Sequence, residues 1–295
     1  MSVNRTQGKK KWLEKLIAKL CHLNFDRKII MGQRKTIALE RNRLTYLKSG
    51  NGKQTLITLH GFGQSAGDFQ VIEEAFPGHQ FYHLNLFFHD SYLHPAHRPL
   101  SQTKWLELFA NFLAVERIEK FSMAGFSIGC RFVYHIAEGY VSRLENVILF
   151  APEGENFNFW YRAAVSVFRG LFRFIVFRPT IFFSMLNMLV RIKLLNNSVA
   201  RFARSQMKRR SKRWLVYVSW VHFRLLRFNL KKWAQVMNRH QVPVIIFTGE
   251  NDKMIPAGNA KPICRKLKRV THYHIKSGHQ DLLKRSAEFL NRLKK

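Results

Sequence analysis

Residues 120–141, KFSMAGFSIGCRFVYHIAEGYV, constrain the fold more than any other part of this chain. A short run of apolar and small residues passes through Gly125, Phe126, Ser127, Ile128 and Gly129 directly into a helical pattern, leaving no room for a loop. A strand followed at once by a helix needs a tight turn, and glycine alone has no Cβ to collide with neighbouring backbone there. Such a turn pushes Ser127 outward. The rest of the chain repeats the alternation. KTIALE and RLTYLKSG read as a strand pair, and QTLITLHG, HQFYHLNLF, ENVILFAP, VPVIIFTG and RVTHYHIKSG as further strands. Ser101 is placed to cap a helix over Gln102–Val115, and a closing helix is expected from about Gln280. Strands alternating with helices specify an α/β class fold, with a mostly parallel sheet covered on both faces.

Charge divides the chain further. Residues 36–155 hold 10 basic and 12 acidic side chains, whereas residues 156–240 hold 18 basic and none acidic. The acid-free stretch lies between two expected sheet strands and is rich in Phe, so it reads as a basic helical cap inserted into a balanced core of residues 36–155 and 241–295. Residues 1–35 form a third part, a basic amphipathic N-terminal segment with Trp12, Leu13, Leu16, Ile17 and Leu20 at helical spacing. Glu14, Lys15 and Lys19 interrupt its apolar residues, which argues against an export signal. Cys21, Cys130 and Cys264 are too widely spaced for a disulfide framework or a zinc pattern. A cytoplasmic location is expected, peripheral to a membrane if the cap and N-terminal helix meet an anionic surface.

An alcohol is a poor nucleophile near neutral pH, so Ser127 in an exposed turn needs a base and a group to orient that base. Both follow strands near the C-terminus. TGENDKMIP presents Asp252 in a loop, and SGHQDLL presents His279 before the last helix. LHGFGQS supplies a glycine-rich turn whose Phe62 N–H, with the Ile128 N–H beside the serine, is suited to receive an oxyanion. Glu153, in APEGEN after the sixth strand, is an alternative acid.

HGFG, GFSIG, TGENDKMIP and SGH, in this order and spacing, resemble the α/β-hydrolase superfamily. The resemblance covers about residues 36–155 and 241–295. It implies an eight-stranded, mostly parallel sheet with a helical cap after the sixth strand. Its catalytic serine, acid and base fall on Ser127, Asp252 and His279, and its oxyanion donors on Phe62 and Ile128. The implied activity is that of a serine hydrolase, esterase or lipase-like, acting on a carboxylic ester and requiring no cofactor or metal; thioester, amide or carbon–carbon cleavage would use the same residues, and the Phe-rich cap suggests an apolar or lipid-like acyl group. A serine at residue 127, where an aspartate would stand in epoxide hydrolases and dehalogenases, argues against both. The stretch HLNLFFHD departs from the family, because it lacks the glycine turn usual after that strand. The competing reading is a non-catalytic binding protein on the same scaffold, its basic cap holding anionic lipid or, less favoured for want of any nucleic-acid motif, nucleic acid. His83, His89, His94 and His97 crowd one region without metal-ligand spacing, so no metal site is expected.

Overall fold

The computed structural model describes residues 32–153, 165, 168–195 and 197–293; the expected amphipathic helix near the N-terminus lies outside them. Two short strands, β1 (Gln33–Leu39) and β2 (Asn42–Gly50), pair antiparallel through a tight turn, as the sequence predicts. β1 begins slightly before residue 36 and stands at the sheet edge, where Arg34 and Lys35 discourage further strand pairing. Then follow β3 (Gln54–Leu59), a 3₁₀ segment over Ala66–Ala75, β4 (His79–Leu84), α1 (Gln102–Val115) and β5 (Phe121–Phe126). The Ser101 hydroxyl accepts from the Lys104 N–H at 3.1 Å, which caps α1 where the sequence placed its start. The elbow helix α2 (Gly129–Gly139) leads to β6 (Leu144–Phe150).

Between β6 and the next strand lie α3 (Arg169–Phe177), α4 (Pro179–Arg191), α5 (Asn197–Met207), α6 (Arg210–His222) and α7 (Leu230–Arg239). The chain closes with β7 (Val244–Gly249), the short α8 (Lys261–Lys266), β8 (Val270–Ile275) and α9 (Leu282–Arg292). The eight strands lie in the order β1-β2-β4-β3-β5-β6-β7-β8, antiparallel as far as β4 and parallel beyond it.

Alternation along each central strand divides the apolar residues between two layers. Met123, Val147, Leu149, Val244 and Ile246 face one layer with α1, α2 and α7. Ala124, Phe126, Ile148, Phe150, Ile245 and Phe247 face the other, with the 3₁₀ segment and α9. Every residue of β5 and β7 is buried, as expected for parallel strands covered on both sides. The cap boundary expected at residue 240 needs correction. Leu230, Trp233, Ala234 and Met237 of α7 are buried in the core layer beside α2, so the core resumes before α7. Their i, i+3, i+4, i+7 spacing carried that signal, which the lack of acidic residues obscured.

Candidate active site

Parallel strands bring their C-terminal ends to one edge of a sheet, and the loops leaving those ends are therefore neighbours. Leu59 is in register with Gly125, Phe126 with Phe150, Phe150 with Phe247, and Gly249 with Ile275. Phe62, Ser127, Glu153, Asp252 and His279 each follow one of these ends.

Ser127 sits at φ 52, a left-handed conformation that a residue with a Cβ adopts only when its surroundings enforce it. The enforcement is visible. Its N–H donates to the Phe150 carbonyl at 2.9 Å, and its carbonyl accepts from the Cys130 N–H at 3.0 Å. A Cβ on Gly129 would stand 2.1 Å from the Leu59 oxygen and 2.7 Å from the His60 oxygen; on Gly125 it would meet Val133 at 2.8 Å and Cys130 backbone at 3.0 Å. The glycines therefore let the elbow press against β3 and against its own helix. Cys130 lies beneath, its thiol held well above the usual range by burial, so it remains protonated packing material.

Asp252 is almost wholly buried, and its carboxylate is fully used. Oδ1 accepts from the N–H groups of Met254 at 2.9 Å and Ile255 at 2.8 Å, while Oδ2 lies 2.6 Å from His279 Nδ1. An ionised carboxylate only accepts, so Nδ1 carries the proton and Nε2 presents a lone pair. The two loops are also tied through backbone, with the Asn251 N–H donating to the Ser277 carbonyl at 3.0 Å. Glu153 is engaged elsewhere, in an ion pair with the buried Arg131 guanidinium.

Phe126, the residue before the serine, joins these parts. Its ring lies 4.9 Å from the His279 ring on one side, and its edge fills the space where a Gly61 side chain would stand, 2.7 Å from that Cβ position. The imidazole is thereby held beside the elbow, although among the described residues no hydrogen bond joins His279 to the Ser127 hydroxyl. Such bonds are often loose before substrate binds.

The HGFG loop is organised by two histidines whose role the sequence did not reveal. His60 Nδ1 donates to the Gly61 carbonyl at 2.7 Å, and its Nε2 accepts from the Leu86 N–H at 3.1 Å. His89 Nδ1 donates to the Phe87 carbonyl at 3.2 Å, and its Nε2 accepts from the Gly63 N–H at 3.0 Å. These bonds need neutral rings. Burial pushes His60 down to about 3, with the nearby His89 adding to the effect, and burial pushes His89 down to about 4. The Gly61 N–H is taken by the Gln64 side chain at 2.9 Å. The N–H groups of Phe62 and Ile128, by contrast, have no acceptor among the described residues. His83 bonds instead to Thr58 and Glu73, and among the described residues no group of three or more His, Cys, Asp or Glu could hold a metal ion.

The family's missing glycine turn has a structural counterpart. Phe88 occupies φ 69, a conformation suited to glycine, and its ring packs 6.1 Å from Trp214, 5.5 Å from His222 and 5.6 Å from Phe223. A core loop thus grips α6 of the cap. α5 reaches over the HGFG loop as well, with the Phe202 ring 6.5 Å from Phe62 and the Gln206 side chain 3.5 Å from the Cβ position of Gly63.

The sequence profile of the α/β-hydrolase fold matches residues 54–284. Several solved structures share the architecture. A membrane phospholipase A, described as a bacterial virulence factor, superposes with a TM-score of 0.62 at 16% identity, covering 99% of this chain and 90% of that one. A thermophilic esterase from Thermogutta terrifontis gives 0.64 at 16% identity, covering 89% and 97%. Naproxen esterase from Bacillus subtilis gives 0.61 at 13% identity, covering 97% and 96%. No curated protein matches the chain significantly by sequence. With the profile spanning most of the chain, the chain belongs to the α/β-hydrolase fold family.

Proposed function

We propose that the protein is a serine hydrolase that cleaves a carboxylic ester of an apolar acyl group through an acyl-enzyme. The Ser127 oxygen attacks the ester carbonyl while His279 Nε2 takes the hydroxyl proton. Asp252 keeps the Nδ1 proton in place and stabilises the imidazolium. The Phe62 and Ile128 N–H groups receive the oxyanion, each typically worth roughly 3–4 kcal/mol to the transition state. Collapse breaks the bond to the alcohol oxygen, which leaves with the proton from His279. Water, deprotonated by the same imidazole, then releases the acid and restores Ser127.

The observation that carries this reading is the Asp252–His279 pair, lodged against Phe126 immediately beside a serine at φ 52. Support also comes from family membership and from likeness in fold to proteins named as esterases and a phospholipase. The ring of Phe202 in α5, 6.5 Å from Phe62, favours an apolar acyl group. A fluorophosphonate probe tests the chemistry directly. Labelling of the intact chain, abolished in Ser127→Ala with the fold retained, is expected. An unlabelled, folded wild-type chain would favour the binding-protein reading. Ester substrates of graded acyl length then test the pocket, with longer apolar chains expected to give the higher kcat/KM.

A further inference from the structure

The cap exposes apolar side chains that a surface helix ordinarily buries. Of α3 only Val176 is buried, and of α4 only Leu186. The inner edge of α3 is occupied, with Phe172 5.5 Å from Trp220 and Phe177 5.9 Å from Tyr217. Its outer edge is bare: Phe168 and Leu171 are each 55% exposed. Ile181, Met188, Ile192 and Leu194 continue the bare surface along and beyond α4, with Leu194 73% exposed. Interleaved with them are the exposed guanidinium and ammonium groups of Arg173, Arg178, Arg191 and Lys193. Between α3 and α6 runs an open groove of about 900 Å³ lined by Arg173, Arg178 and Arg210 together with Phe174, Phe177 and Trp214. None of Ser127, Asp252, His279, Phe62 or Ile128 lines it.

We propose that this face of the cap, formed by α3, α4 and the start of α6, docks on the surface of an anionic lipid bilayer, with the α3–α6 groove admitting a lipid phosphate and part of its chain. Charge selects the occupant. Residues 156–240 contain no acidic side chain, so a second copy of the cap is repelled, and so is the basic segment of residues 1–31. Nucleic acid shares the charge but offers nothing to Leu171, Ile181, Met188, Ile192 and Leu194, whereas the acyl boundary of a bilayer accepts them. Geometry favours lying in the interface over crossing it. α3 and α4 meet at 101°, and no single helix among the described residues is long and apolar enough to span. The 13 residues of α4 reach only about 20 Å, against a hydrocarbon thickness of about 30 Å. This surface stands apart from the proposed chemistry, and its test does not require turnover.

The experiment is co-sedimentation of the full chain with phosphatidylcholine vesicles, with and without phosphatidylglycerol, at low and high salt. Binding that depends on phosphatidylglycerol and weakens with salt is expected. Each basic residue at an anionic surface contributes roughly fivefold in affinity. Arg173→Gln, Arg178→Gln and Arg210→Gln together should therefore weaken binding about 100-fold. A second variant, Leu171→Ser, Ile181→Ser and Met188→Ser, should weaken it at least about tenfold with every charge retained. Circular dichroism and thermal melting confirm that both variants fold. Undiminished binding in either variant overturns the proposal, as does equal binding to neutral vesicles. So does single-stranded RNA binding that is at least as tight and indifferent to the serine substitutions, which would assign the face to nucleic acid.

Discussion

Replacing Asp252 by asparagine changes one atom, and the surrounding hydrogen bonds dictate how the new amide must turn. Oδ1 of Asp252 is held by two backbone N–H groups, at 2.9 and 2.8 Å, both donors with no alternative use for an NH₂. The asparagine oxygen must therefore take that position, leaving its NH₂ facing His279 Nδ1 at the place of the present 2.6 Å contact. A donor there requires Nδ1 to become the acceptor, so the ring proton moves to Nε2. That nitrogen can then no longer take a proton from Ser127. Turning the amide the other way restores the tautomer but sets the NH₂ against two N–H donors, that of Ile255 buried and that of Met254 partly so, costing roughly 1–3 kcal/mol for each buried group left unsatisfied. The wrong tautomer should dominate. In a serine-protease triad the same exchange lowers turnover by about 10⁴-fold, equivalent to about 5.5 kcal/mol of barrier. The expected result for Asp252→Asn is thus a kcat lower by about 10⁴ on an ester substrate, an equally slowed fluorophosphonate reaction, and a folded protein by circular dichroism. Glu153→Gln, by contrast, disturbs the Arg131 pair and should leave the proton relay intact. If Asp252→Asn retained activity within tenfold of wild type while Glu153→Gln lost it, the assignment of the acid would be refuted.

Gly129→Ala should force the elbow away from β3, because its Cβ would stand 2.1 Å from the Leu59 carbonyl oxygen. A relative shift near 1 Å between Ser127 and the Phe62 loop should cost about 100-fold in probe labelling and lower Tm as well; an unaltered rate with an unaltered Tm would contradict the close approach. Neutral His60 and His89 make stability depend on acid. Their folded values of about 3 and 4 lie below the ordinary 6.5, so the unfolded chain binds protons that the folded chain does not. Denaturant midpoints should therefore fall as pH drops from about 6.5 towards 4, and His89→Gln should flatten part of that slope. Phe88→Gly relieves the left-handed strain but deletes three ring contacts to α6 and Phe223. Hydrogen exchange should quicken across residues 214–223, and unchanged protection there would deny Phe88 its part in seating the cap.

Much of this architecture is local, and local patterns are legible in a sequence. Continuous apolar runs such as VIIFTG mark strands buried on both faces, and Ser101 announced the start of α1 through a cap that involves only residues three apart. The glycines around Ser127 and the loop positions of Asp252 and His279 were readable for the same reason, since each depends on its own turn. What the sequence could not supply was contact between distant segments. Phe126 looked like one more strand residue, yet its ring is where the HGFG turn and His279 meet. His60 and His89 gave no sign that each would surrender its lone pair to a backbone N–H, because their partners, Leu86 and Gly63, come from the opposite loop of the pair. The choice between Asp252 and Glu153 as the partner of His279 also waited on the fold: β7 and β8 are adjacent, which joins their loops, while Glu153 finds Arg131 of the elbow helix. Composition likewise carried α7 into the cap, whereas burial of Trp233 against α2 returned it to the core. Strand propensity and turn chemistry act over a few residues. Which side chains then share a hydrogen bond or a ring contact is decided by the parallel register of the sheet, and that is a property of the whole chain.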